Sequence, residues 1–193
     1  MKKLESKSEA KIAVFLDRDG VINRAIIRER KPYPPSKIED VVFPPGTSEA
    51  IQSLRSSGYL VIVVTNQPDV AQGVQSKEVV ESIHAIIRQQ LQVDDIKICY
   101  HVDEDNCHCR KPRPGMILAA AQEYAIDLEG SYMIGDRWRD IEAGKAAGCK
   151  TILIQPEVNY NEPQAQGMDA VVDSLYEAAE FILKNDFDKR GND

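Results

Sequence analysis

Short apolar runs alternate along this chain with longer amphipathic stretches. The first run, residues 12–17, reads as a buried strand that ends in a carboxylate. Pro44-Pro45-Gly46 opens a helix with Ala50, Ile51 and Leu54 on its apolar face and Gly58 as its stop. Residues 60–64 form a second strand. Ser76 caps a helix on which Val79, Val80, Ile83, Ile86, Ile87 and Leu91 recur at helical spacing. Strands follow at 96–100, 131–134, 151–154 and, more briefly, 170–172. Helices follow at 115–124, 141–147 and 175–183. Strands alternating with helices predict an α/β fold, a mostly parallel sheet covered on both faces.

Two stretches break the rhythm. Residues 23–40 carry Pro32, Pro34 and Pro35 among Arg24, Arg28, Arg30 and Lys31, which predicts a long irregular loop facing substrate. A hairpin pairing Ile26 with Val41-Val42-Phe43 is its one candidate element. Residues 155–168 are polar and contain proline, a second loop. One domain is expected over 1–193, with 1–10 and 185–193 disordered.

Composition narrows the class. The net charge is −7 with scattered Lys and Arg, so sequence-independent nucleic-acid binding is disfavoured. There is no run long and apolar enough for a membrane span and no apolar core of a signal peptide near Met1. The expectation is a cytoplasmic monomer acting on a small molecule. In that compartment the four cysteines are thiols or metal ligands rather than disulfides.

The strand ends carry the chemistry. Asp17 and Asp19 follow the first strand, and residues two apart on an extended segment face one side. The alternative for this pair is a solvated acidic turn. Thr65 and Asn66 follow the second strand, Asp136 and Asp140 the fourth, and Lys111 a loop after the third. In a parallel sheet these ends share one edge, where open α/β sheets bind ligands. Carboxylates in excess of cations suggest Mg2+, which takes few carboxylates and keeps water and phosphate oxygens as its other ligands. Thr65 and Lys111 would then hold the oxygens of a transferring phosphoryl group. Asp140 either supports the metal or complements a helix dipole. Arg18 is expected to point away from both carboxylates, and His84 to be structural.

Cys99, His101, Cys107 and Cys109 offer four N/S donors within one loop, which suits tetrahedral structural Zn2+. His108 is left over, and Cys149 reads as a core residue. The loop runs into Arg110-Lys111-Pro112, so a metal there would pin the lysine.

Asp17-Arg18-Asp19-Gly20, Thr65, Lys111 and Gly135-Asp136-x3-Asp140 together resemble the four motifs of the haloacid dehalogenase (HAD) phosphatase superfamily, over about residues 12–155. The resemblance implies a Rossmann-like fold, with Asp17 as a nucleophile that forms an aspartyl-phosphate. It implies Asp19 as general acid and base, and Mg2+ on the Asp17 carboxylate, the Asp19 carbonyl and Asp136. The Cys-x-His-x5-Cys-x-Cys-Arg-Lys-Pro run resembles the zinc-bearing subgroup. That subgroup comprises the heptose 1,7-bisphosphate 7-phosphatases and the histidinol-phosphate phosphatases. Ala25 stands where the histidinol type carries Glu, and the basic loop suits a second phosphate, so the heptose type is favoured. Pro68-Asp69 and Gln72 depart from its pattern. No cap domain fits around Thr65. Arg110 is then the leading specificity residue, with Asn66, Arg28 and Arg137 as further substrate contacts. A non-catalytic zinc-stabilised binding module and a polynucleotide 3′-phosphatase are the competing readings. Intact motifs weigh against the first, and acidic charge without aromatic clusters against the second.

Overall fold

The computed structural model describes residues 10–190 apart from residue 157. Six parallel strands form one sheet in the order β5(Asp95–Cys99), β4(Tyr59–Asn66), β1(Ile12–Leu16), β6(Tyr132–Gly135), β7(Lys150–Ile154), β8(Ala170–Val172). β1 is central, paired with β4 on one side and β6 on the other. Its alternation explains why it reads as a continuous apolar run. Val14 and Leu16 pack on one face, Ala13 and Phe15 on the other, and both faces are covered. Helices α1(Thr47–Ser56), α3(Lys77–Leu91) and α6(Leu175–Arg190) cover the first face, through residues such as Ile51, Ile87 and Ile182. Helices α4(Gly115–Tyr124) and α5(Trp138–Ala147) cover the second, through Ile117 and Ala143.

Local signals explain most boundaries. The Ser76 hydroxyl accepts from Val79 N at the start of α3, and Gly148, at φ +90, ends α5. The hairpin differs from expectation. β2(Ile26–Arg28) pairs antiparallel with β3(Lys31–Tyr33), not with Val41-Val42-Phe43. Its turn is Glu29-Arg30, both left-handed at φ +49 and +60, without the glycine or asparagine that advertises such a turn. Pro32 sits opposite Ile27 in a two-stranded ribbon, where an edge tolerates its missing N–H. Val42 does return beside the loop, accepting from Arg24 N at 2.9 Å. A four-residue helix, α2(Pro68–Ala71), was too short to register in the periodicity.

The C-terminus is corrected too. Helix α6 continues to Arg190, through residues 185–190 that were expected to be disordered. Its polar last turns are anchored where the phenol of buried Tyr59 donates to Asp186 at 2.6 Å. Residues 1–9 and 191–193 lie outside the described residues. Between β1 and β4 stand only the hairpin, a short 3-10 helix at Ile38–Asp40 and α1, too little for a cap domain at that position. No helix among the described residues is long and apolar enough to cross a membrane.

Candidate active site

Three adjacent strands, β4, β1 and β6, deliver their C-terminal residues to one crevice. Asp17, Asp19, Asn66, Lys111, Arg137 and Asp140 line it, with Pro32, Tyr33 and Pro34 of the hairpin as one wall, around a cavity of about 150 Å³. Asp17 leaves β1 with its N–H still donating to Ile134 O of β6, so the sheet fixes its backbone. The chain then turns tightly. Ile22 and Asn23 both donate to the Arg18 carbonyl, and Gly20 donates to Asn23 O. Gly20 has φ +99, and a Cβ there would lie 2.1 Å from Asp136 Oδ2. Glycine is thus demanded twice, by conformation and by the carboxylate behind it.

Lys111 is the hub. Its buried ammonium donates to Asp17 Oδ1 at 2.6 Å and to Val64 O at 2.7 Å, and pairs with Asp140 Oδ1 at 2.6 Å. Asn66 clamps the lysine's backbone, donating to Lys111 O and accepting from Lys111 N, both at 3.1 Å. Both polar groups of that amide therefore act on Lys111 itself. Asp140 does two jobs, since its second oxygen accepts from Arg137 N at 3.1 Å and so caps α5.

Asp17, Asp136 and Asp140 are all buried and offer oxygens within 4.8 Å of one another. Burial, with the neighbouring Asp140 and Asp19 charges, pushes Asp17 up to about 6 against the pull of Lys111. Burial and the Asp17 and Asp140 charges push Asp136 well above the usual carboxylate range. Three buried carboxylates with one ammonium are an unfavourable set unless a further cation joins them. Asp136 Oδ1 is buried and has no hydrogen-bond partner among the described residues. The cluster therefore fits a hard divalent cation in donor type, charge and a free oxygen.

Asp19 is not in that cluster. Its carboxylate takes Arg18 Nε and NH2 at 3.1 and 2.7 Å, Asn23 Nδ2 at 2.9 Å and Gln67 Nε2 at 2.9 Å. Burial raises its pKa, but these donors outweigh it and hold Asp19 below its ordinary value. The expectation for Arg18 is thereby overturned. It does not point away from both carboxylates: it is fully buried and grips Asp19, because the turn at residues 18–23 ends the strand-like alternation. Its NH1 contacts Nε2 of the buried His84 at 3.0 Å, which ties that residue of α3 to the turn that carries Asp19. Gln67 escaped the sequence reading. Its amide donates to both Asp19 and the Thr65 hydroxyl, the latter at 2.9 Å.

The arginines divide. Arg137 lines the crevice, its guanidinium paired with Glu162. Arg110 donates to Asp103 at 2.7 Å and lines an adjoining cavity with Lys111 and Cys107; its NH1 is buried without a hydrogen-bond partner among the described residues. Arg139, unremarked in the sequence, shares Asp103 at 3.0 Å and lines the crevice. Arg28 is exposed, lies 5.8 Å from the Tyr33 ring, and does not line the crevice.

Behind the crevice, Cys99, His101, Cys107 and Cys109 place their donor atoms within 4.8 Å of one another and could hold a metal ion. The sulfurs lie 3.2, 3.4 and 3.7 Å apart, and His101 Nδ1 is 3.3 Å from Cys109 and 3.5 Å from Cys99. His108 is exposed and outside the cluster; Cys149 is buried in the core.

Comparison with known proteins agrees with this architecture. A family profile described as HAD-hydrolase-like matches residues 108–178. A D-glycero-beta-D-manno-heptose-1,7-bisphosphate 7-phosphatase of Pseudomonas putida is 38% identical over 150 residues, 74% of this chain and 81% of the relative. One of Pasteurella multocida is 33% identical over 186 residues, 89% of this chain and 97% of the relative. The crystal structure of D,D-heptose 1,7-bisphosphate phosphatase from B. bronchiseptica, complexed with magnesium and phosphate, superimposes with a TM-score of 0.74 at 30% identity. It covers 91% of this chain and 99% of that one. The Burkholderia thailandensis enzyme of the same description gives a TM-score of 0.61 at 26% identity, covering 90% and 99%.

Proposed function

The chain belongs to the HAD phosphatases, in the family of the D-glycero-beta-D-manno-heptose-1,7-bisphosphate 7-phosphatases, and from that membership we propose that it removes the 7-phosphate of heptose 1,7-bisphosphate. The product would feed nucleotide-activated heptose. The observation that carries the chemistry is the Asp17–Lys111–Asp140 ion set beside Asp136 at the sheet edge.

Asp17 attacks phosphorus, its charge neutralised by Lys111, and takes the phosphoryl group as an aspartyl-phosphate. Lys111 and the Thr65 hydroxyl hold the phosphoryl oxygens as charge builds on them. Asp19 gives a proton to the leaving sugar oxygen and then takes one from a water that attacks phosphorus, which breaks the bond to Asp17, releases inorganic phosphate and restores the carboxylate. The present donors of Asp19 favour the anion, so the acid form requires its carboxylate to turn from Arg18 towards the crevice. Mg2+ would be held by Asp17, Asp136 and the Asp19 carbonyl, with Asp140 behind, and supplies the positive charge that lets two anions meet. Arg110 and Arg137 are the specificity candidates, with Asn66 acting through Lys111; Arg28, exposed and outside the crevice, has no direct part in this reading.

The thiol cluster is a structural zinc site in this reading. Ligands at about 2.3 Å from a tetrahedral zinc lie about 3.8 Å apart, close to the sulfur spacings here. All four positions come from the protein, which leaves none for water.

Phosphate release should be compared on both anomers of heptose 1,7-bisphosphate and on histidinol phosphate. Turnover of a heptose anomer well above histidinol phosphate is expected. Preference for histidinol phosphate would reverse the substrate assignment, and no Mg2+-dependent release from any of the three would defeat the reading altogether.

A further inference from the structure

The loop between β7 and β8 reaches back over the carboxylates, and the steps above give it no work. At its centre the Tyr160 phenol donates to Asp136 Oδ2 at 2.7 Å. The other oxygen of that buried carboxylate is the one without a partner. Behind Oδ2 stands Gly20, so close that a Cβ would reach it. Oδ2 is therefore held between a phenol and a glycine, and Oδ1 is the oxygen left unengaged among the described residues.

Tyr160 is itself held by its neighbours in the chain. Arg30, in the hairpin turn, donates through Nε to Asn159 O at 2.9 Å, and Asn161 N donates back to Arg30 O at 2.9 Å. Glu162 pairs with Arg137, the residue after Asp136. Hairpin, loop and the start of α5 are thus tied together within four residues, with the phenol in the middle. The donor is also uncharged. A lysine or arginine here would hold Asp136 equally well but would repel a cation.

We propose that Tyr160 is a positioning residue for the divalent cation. It fixes the Asp136 carboxylate with Oδ2 engaged and Oδ1 presented to the metal, and the hairpin acts on metal affinity through it. The inference rests on the reading of Asp136 as a metal ligand.

Mn2+ binding followed by electron paramagnetic resonance on the full, zinc-loaded chain tests it without turnover. Tyr160→Phe removes one hydroxyl and should weaken Mn2+ by about tenfold, the scale of lost partners behind metal ligands. The Mg2+ concentration for half activation should rise by the same factor, with kcat at saturating Mg2+ and the melting temperature unchanged. Arg30→Ala should weaken Mn2+ in the same direction, and the double variant no further than Tyr160→Phe alone. Unchanged or tighter binding by Tyr160→Phe, or additive losses in the double variant, would overturn the proposal. Asp136→Asn separates the two failures: full Mn2+ affinity in that variant would overturn the metal assignment itself.

Discussion

At the scale of single residues, the site is a problem of buried like charges solved by a few exact contacts. Lys111 touches two of the three clustered carboxylates, so Lys111→Ala removes both a phosphoryl contact and a neutralising charge. A loss of about 10²–10³ in kcat is expected from steady-state phosphate release. Gly20→Ala should abolish Mn2+ binding in a protein that still folds, because its Cβ would strike Asp136 Oδ2. Arg18→Leu should cost about 3 kcal/mol in urea denaturation, the low end for a broken buried pair, since Asn23 and Gln67 still donate to the partly exposed Asp19 carboxylate. That arginine shows where sequence reading stops. Period-two alternation located Asp17 and the strand end, because β1 obeys it. It misled at Arg18, because the chain turns there and a backbone turn leaves no mark in the spacing of residue types. Gln67 and Arg139 were invisible for a related reason: their roles depend on which strands are neighbours.

Among elements, the hairpin supplies a wall of the crevice and the cysteine loop leads into the lysine at its base. The convergence of Cys99, His101, Cys107 and Cys109 was readable because four metal-binding side chains lie in one short loop. The hairpin was misread because its turn uses Glu29 and Arg30 in left-handed conformations. The cysteine loop leads straight into Lys111, whose backbone Asn66 clamps from β4. Cys109→Ser should therefore lower both zinc content, measured by elemental analysis, and phosphatase rate, even in excess Mg2+. A variant that loses zinc and keeps full activity would show that the Asn66 clamp suffices. The helices were legible to within a few residues wherever a cap or glycine marked an end. The last one was not, since its final turns are polar and are held by a distant tyrosine.

For the whole molecule, the order β5-β4-β1-β6-β7-β8 puts β1, the strand that ends at Asp17, in the middle and sends the chain first to one side, then to the other. Global stability should carry the mark of His84, packed on α3 beneath that centre. Burial, and then the Arg18 charge, depress its pKa from 6.5 to about 4. Above 6.5 the ring is neutral whether the chain is folded or not, and its contribution is complete. Between 6.5 and 4 the unfolded chain takes up a proton that the folded one refuses, so stability falls with pH by up to about 3 kcal/mol. Asp17 and Asp136, whose pKa values burial raises, take up protons in the folded chain first and oppose this trend, so the His84 share is the difference in urea midpoint between the parent chain and His84→Gln, and that difference should shift against the parent as pH falls from 6.5 to 4. The sheet order has one more consequence, for a chain growing from the ribosome. β1 emerges first, yet Ala13 finds its Ser131 partner 118 positions later. Until β6 is synthesised, the most apolar strand of the sheet has one raw edge, and nascent chains are at their stickiest over that whole interval. Chaperone protection should therefore be sought while the stretch from β1 to β6, residues 12–135, is being translated.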